Sequence, residues 1–121
     1  MKLDKNTKVL IQGLGKDGTF QARRSIEYGT NVVACVHPKR EGTFFDGNIP
    51  YFETVKDAVS KTNANVGVIY VPAAFAMDAI IEQIDAKIEI VVCITEGVPI
   101  HDMIKVKNYI KDKNTTLIGP N

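Results

Sequence analysis

Gly13, Gly15 and Gly18 stand in the spacing G-x-G-x-x-G within KVLIQGLGKDGT, residues 8–19, directly after the apolar run Val9, Leu10 and Ile11. The chemistry this spacing serves is anion binding by the backbone. A helix N-terminus carries unpaired N–H groups and a partial positive charge, and both face whatever lies in front of it. In the dinucleotide arrangement the first glycine permits a tight turn, the second removes a Cβ from the path of a pyrophosphate, and the third lets the helix pack on its strand. Gly13, Leu14, Gly15, Lys16, Asp17, Gly18 and Thr19 are therefore candidates to bind a phosphate-bearing ligand. The spacing by itself is weak; it gains weight from the strand before it, the helical periodicity after it and a second strand about twenty residues on.

A second cluster follows that second strand. A site for NAD places an acidic residue there to hold the ribose hydroxyls, whereas this chain has His37, Pro38, Lys39 and Arg40, with Glu41 further out. Lys39 and Arg40 suit a ribose that carries an extra phosphate, as in NADP or coenzyme A, and an arginine can grip it bidentately. The alternative reading of the pair is as solvated loop charges. Catalytic machinery is not expected: no Ser-His-Asp set, metal-ligand spacing or paired carboxylates emerge. His101, just before a predicted helix, reads as a capping or surface residue, and His37 as a loop or ligand-lining one. Cys35 and Cys93 lie inside apolar runs without C-x-x-C or His spacing, which predicts buried thiols rather than a disulfide or a metal site.

The elements that must position these residues alternate regularly. After the first strand, Thr19 to Tyr28 has helical spacing and Gly29 a stop signal; Asn31 to Val36 is a β-branched run suited to a strand covered on both faces. His37 to Asn48 is turn-rich and predicts a loop, and Ile49 to Phe52 a short strand that Pro50 confines to an edge. Thr54 is placed to cap a helix with Asp57 at its third position, an apolar stripe of Val55, Ala58 and Val59, and an end near Thr62. Val66 to Val71 predicts a buried strand closed by Pro72. Ala74 to Ala86 predicts a helix with Phe75, Ala79, Ile80 and Ile84 on one side and Asp78, Glu82 and Asp85 largely on the other. Ile88 to Thr95 predicts a strand, Asp102 to Lys113 a helix with Met103, Val106, Tyr109 and Ile110 inward, and Thr116 to Ile118 a last strand.

This order predicts an α/β fold, a doubly wound parallel sheet of the Rossmann type with strand order 3-2-1-4-5-6. Ligands of such sheets bind outside the carboxyl ends of the strands where the winding reverses. Here that gathers the glycine turn, the loop from His37, the corner Tyr70-Val71-Pro72 and the segment Ile94-Thr95-Glu96.

With 121 residues, 45% hydrophobic and 24% charged, the chain predicts one soluble domain with a real core. A net charge of +1 gives no footprint for nucleic acid or for an acidic membrane surface. MKLDKNTK has no apolar signal core and no run approaches a bilayer span, so a cytoplasmic protein is expected, with the mitochondrial matrix as the alternative where a transit peptide has been removed.

DKNTKVLIQG, DGTF, EYGTNVVACVHP, VIYVPAAF, ITEGVPIHDM and the closing LIGPN together resemble the N-terminal, coenzyme A-binding domain of the alpha subunit of succinate-CoA ligase (succinyl-CoA synthetase), over essentially the full chain. The resemblance implies that coenzyme A lies across the strand ends. Its phosphates would meet the glycine loop, Arg40 with Lys39 beside it would contact the nucleotide, and Ile94, Thr95 and Glu96 would line the cleft. It also implies a beta subunit as partner, a place in the tricarboxylic acid cycle, and a parent reaction that joins succinate to coenzyme A at the expense of a nucleoside triphosphate.

Two departures from the family pattern bear on this expectation. The family's loop usually reads like G-F-T-G-x-Q-G-T-F, whereas Gly13 to Phe20 is one residue shorter and carries Asp17 at the helix start, where a carboxylate competes with a phosphate for the same dipole. In the family, a domain carrying a phosphorylated histidine follows the GPN signature, and this sequence stops at Asn121. The expectation is a domain that binds without catalysing. An NADP-binding domain or redox sensor, and a degenerate fragment with a structural or subunit-contact role, are the alternatives.

Overall fold

A computed structural model describes residues 5–13, 16–27 and 29–120. The central strand β1 (Val9–Gln12) is followed by α1 (Lys16–Glu27) and β2 (Val32–Val36), then β3 (Phe44–Phe45), β4 (Ile49–Phe52) and α2 (Val55–Thr62). The second half runs β5 (Val66–Ile69), α3 (Ala73–Asp85), β6 (Ile90–Cys93), α4 (Ile100–Ile110) and β7 (Thr116–Ile118). The strands form one sheet in the order β3-β4-β2-β1-β5-β6-β7, parallel throughout except for the antiparallel β3–β4 pair. Apart from β3, this is the predicted doubly wound order.

Winding direction explains which face each helix covers. Right-handed crossovers that step one way along a sheet and then the other must place their helices on opposite faces. Strand alternation matches. Leu10, Ala34, Val36, Ile69, Val91 and Cys93 are buried in one core with residues of α2, α3 and α4, and Val9, Ile11, Cys35, Tyr51 and Val66 in a second core with Ala22 of α1. On the α1 side of β5 to β7, Val68, Tyr70, Ile90 and Val92 are half-buried, and Ile94 and Ile118 are exposed.

The predicted cap of α2 forms as expected. Thr54 is extended and its hydroxyl accepts from the Asp57 N–H at 3.2 Å, while Asn63 closes the helix in the left-handed conformation. Two element predictions need correction. The loop from His37 to Asn48 contains β3, because Asp46 and Gly47 both take positive φ (49° and 80°) and the Asn48 N–H closes the turn on the Phe45 carbonyl at 3.2 Å. The Asp-Gly dipeptide carries that hairpin signal. As a result β4 is not at the sheet's edge; Pro50 is tolerated because the parallel pairing with β2 involves Tyr51 and Phe52, one residue beyond it. Phe75, placed inward by its spacing, is 62% exposed, and Gln83 occupies the core instead, fully buried. The buried stripe of α3 runs through Ala76, Ala79, Ile80, Gln83 and Ile84, and Phe75 falls at its margin in the first turn.

Candidate functional site

Three strand ends converge at Gly13. Its N–H donates to the Val36 carbonyl at 3.1 Å, and the Gln12 carbonyl accepts from the Tyr70 N–H at 2.9 Å, so the exit of β1 is tied to the exits of β2 and β5. Gly13 has a φ of 81°, and a β-carbon there would fall 2.3 Å from Val71 Cγ1 and 2.8 Å from the Val71 nitrogen. Glycine is required on both counts.

Beside this junction opens a cleft of about 630 Å³, a volume ordinary for a ligand site. Its walls come from Gly13 and the end of β1, from the end of β2 at Val36 through Lys39, from Tyr70 to Pro72 after β5, and from α3 between Phe75 and Glu82. Five of the sequence-predicted site residues thus meet: Gly13, Lys39, Tyr70, Val71 and Pro72.

The remaining ones divide. Leu14 and Gly15 lie outside the described residues, as does Tyr28 at the predicted helix end. Lys16, Asp17 and Gly18 open α1 rather than preceding it, their side chains also lying outside the described set, and Thr19 is half-buried in its first turn. Arg40 is exposed beside the cleft, with its guanidinium 5.7 Å from the centre of the Tyr51 ring. Ile94, Thr95 and Glu96 do not line the cleft, but Thr95 and Ile94 brace it. The Thr95 hydroxyl donates to the Val71 carbonyl at 2.6 Å and the Ile94 N–H to the Ile69 carbonyl at 3.1 Å, while Glu96 is exposed.

Sequence reasoning missed several lining residues. Gln12, Glu53, Phe75, Asp78 and Glu82 all reach the cleft, whereas His37, expected as a loop or ligand-lining residue, lines its basic end. The Lys39 N–H donates to His37 Nδ1 at 3.1 Å, a bond that needs an unprotonated ring nitrogen. Burial, then the nearby charges of Arg40 and Lys39, hold the His37 pKa below its ordinary value. Strand alternation is the signal for Gln12, which shares a face with Leu10.

Behind the glycine turn lies a polar chain. Gln12 Nε2 donates to Glu82 Oε1 at 2.9 Å, the Val55 N–H donates to Glu82 Oε2 at 2.8 Å, and Gln83 Nε2 donates to Gln12 Oε1 at 2.9 Å. Gln83 Oε1 is buried without a partner, against Gly67. Both cysteines are buried, as expected. Burial, aided by Asp46, pushes the Cys35 thiol up to about 12, and burial raises that of Cys93, so neither is a ready nucleophile.

Residues 4–97 match the family model described as the CoA binding domain. The alpha subunit of an ADP-forming succinate–CoA ligase from Aquifex aeolicus is 53% identical over 122 residues, which cover 98% of this chain and 40% of that protein. The corresponding subunit from Staphylococcus aureus (strain COL) is 48% identical over 120 residues, 98% of this chain and 39% of that protein. The chain therefore spans about two fifths of the length of these relatives. Among solved structures, ATP citrate lyase from Methanothrix soehngenii, in complex with citrate and coenzyme A, superposes with a TM-score of 0.78 at 24% identity, over 97% of this chain and 21% of that one. RSP, a Rex-family repressor, superposes with a TM-score of 0.69 at 17% identity, over 97% of this chain and 54% of that one. At these identities the two structures speak for the fold alone.

Proposed function

The chain belongs to the CoA-binding domain family, and from that premise we propose that it binds coenzyme A at the carboxyl ends of β1, β2 and β5, as the ligand-holding part of a succinate–CoA ligase alpha subunit. The observation that carries this reading is that every residue lining the cleft, from Gln12 to Glu82, falls inside the matched span 4–97.

The residues present suit such a ligand. The turn at Gly13 and the backbone at the start of α1 supply the surroundings that phosphates favour. Lys39 lines the cleft as a cation and Arg40 stands beside it, in keeping with a ribose that bears an extra phosphate. Of the lining carboxylates, Glu82 is already engaged by Gln12 and the Val55 N–H. Thr95 supports the site by holding the Val71 carbonyl, with Ile94 and Glu96 at its margin.

In this reading the domain holds the carrier while chemistry proceeds elsewhere in the ligase: succinate, coenzyme A and a nucleoside triphosphate give succinyl-CoA, a nucleoside diphosphate and phosphate. The half-buried apolar face of β5 to β7 and the apolar groove between α4 and β7 suit contacts with the rest of that enzyme, its beta subunit included. A cytoplasmic setting in the tricarboxylic acid cycle follows from the same reading.

Calorimetric titration with coenzyme A, dephospho-coenzyme A and NADPH tests it. Binding of coenzyme A ahead of its dephospho form is expected, with about 2.7 kcal/mol of added stability at a hundred dissociation constants. A response to NADPH alone would favour the NADP site that the complete glycine spacing suggests. Silence toward all three at millimolar concentration would favour a scaffold role.

A further inference from the structure

Glu82 sits where two lines of hydrogen bonding meet. One oxygen takes the side-chain amide of Gln12, the last residue of β1, and the other takes the Val55 N–H at the start of α2. A carboxylate only accepts, so it dictates the orientation of everything attached to it. Gln12 must turn its nitrogen toward Glu82 and its oxygen toward Gln83, and Gln83 must then leave its own oxygen unpartnered against Gly67. Burying a polar atom without a partner costs stability, so this orientation is imposed, not adopted for its own sake.

We propose that Glu82 is a positioning residue for the ligand cleft: by bridging Gln12 to the N-terminus of α2, it fixes the end of β1 from which the glycine turn springs and closes α2's N-terminus to the ligand's phosphates. The inference rests on the coenzyme A reading above. Thr54 completes the closure by accepting from the Asp57 N–H, so the two caps leave the cleft's phosphate attraction to the glycine turn and α1.

The sign of one substitution separates this role from plain electrostatics. In Glu82→Gln the Val55 N–H claims the new oxygen, so the new amide meets Gln12 donor to donor. Relief requires Gln12 to turn over, which sets donor against donor at Gln83, and a turn of Gln83 then drives its NH₂ against Gly67. If Glu82 merely repelled an anionic ligand, the same substitution would tighten binding. Asp78 offers the matching control, since it lines the same cleft, is exposed and makes no side-chain hydrogen bond among the described residues.

The test is titration of the folded wild-type, Glu82→Gln and Asp78→Asn proteins with coenzyme A. Expected are weakening by about tenfold or more for Glu82→Gln, the loss of a hydrogen bond to a charged group, and tighter binding for Asp78→Asn, which removes a like charge from the wall facing an anionic ligand. Equal tightening in both variants, or wild-type affinity in Glu82→Gln, overturns the positioning role while leaving the coenzyme A reading intact. Failure of the wild type to bind overturns that reading and this inference with it. If Glu82→Gln does not fold, Gln12→Met keeps the bond from Val55 to Glu82 and breaks the chain at its other end. Weakened binding there supports the role, and wild-type binding refutes it.

Discussion

Gly13 and Val71 approach so closely that a β-carbon on the glycine would fall 2.3 Å from the valine's Cγ1 and 2.8 Å from its backbone nitrogen. The first glycine of the motif therefore holds the ends of β1 and β5 together, besides permitting the turn. Gly13→Ala adds a left-handed backbone penalty to a collision that a side-chain rotation cannot relieve. A loss of about 2–4 kcal/mol is expected in urea unfolding, together with weaker coenzyme A binding. A loss under about 0.5 kcal/mol, the level of an ordinary surface change, would show that the junction yields easily.

Gly67 makes the same demand inside the core, since a β-carbon there would fall 1.9 Å from Gln83 Oε1. Gly67→Ala should displace the Gln83 amide and break its bond to Gln12, costing about 1–3 kcal/mol. Gln83→Ala removes both the obstacle and the unpartnered oxygen. The double variant should accordingly lose less than the two single losses added together, and strict additivity in denaturant unfolding would refute the contact.

Lys39 and Arg40 are neighbours in sequence but differ in placement: the first lines the cleft and the second stands at the Tyr51 ring. Lys39→Ala should erode the preference for coenzyme A over its dephospho form by about fivefold, the scale of an exposed ion pair. Arg40→Ala should change it less. The reverse ranking in paired titrations would transfer the phosphate contact to Arg40.

His37 confers a pH dependence of known direction. Its folded pKa lies below the ordinary 6.5, first through burial and then through the charges of Arg40 and Lys39. The unfolded chain therefore binds more protons as pH falls through that range, so stability is undiminished above about 6.5 and declines below it. Protonation also removes the acceptor for the Lys39 N–H. His37→Asn keeps an acceptor without a titrating ring; its unfolding free energy should fall less than the wild type's between pH 7 and pH 5. Parallel curves would remove His37 from the account.

The strand order was legible in the sequence because each buried run is short, β-branched and separated by a helix-length segment, and handedness leaves such a chain few windings. The glycine turn, the cap at Thr54 and the two buried thiols were legible for the same reason: each depends on local chemistry. Even the missed hairpin had a local signal in Asp46-Gly47. Tertiary structure decided the cleft. Phe75 obeys helical spacing yet stands exposed on the cleft wall, and Thr95 spends its hydroxyl on Val71, twenty-four residues away. Gln12 meets Glu82 across seventy residues of chain, and Gln83 meets Gln12 across seventy-one. A periodic pattern records which face of an element is buried, but a hydrogen bond between distant elements depends on how they are placed in space. The glycine turn could thus be read from the residues alone, whereas the carboxylate bonded to Gln12 just before it appears only once α3 packs on the sheet.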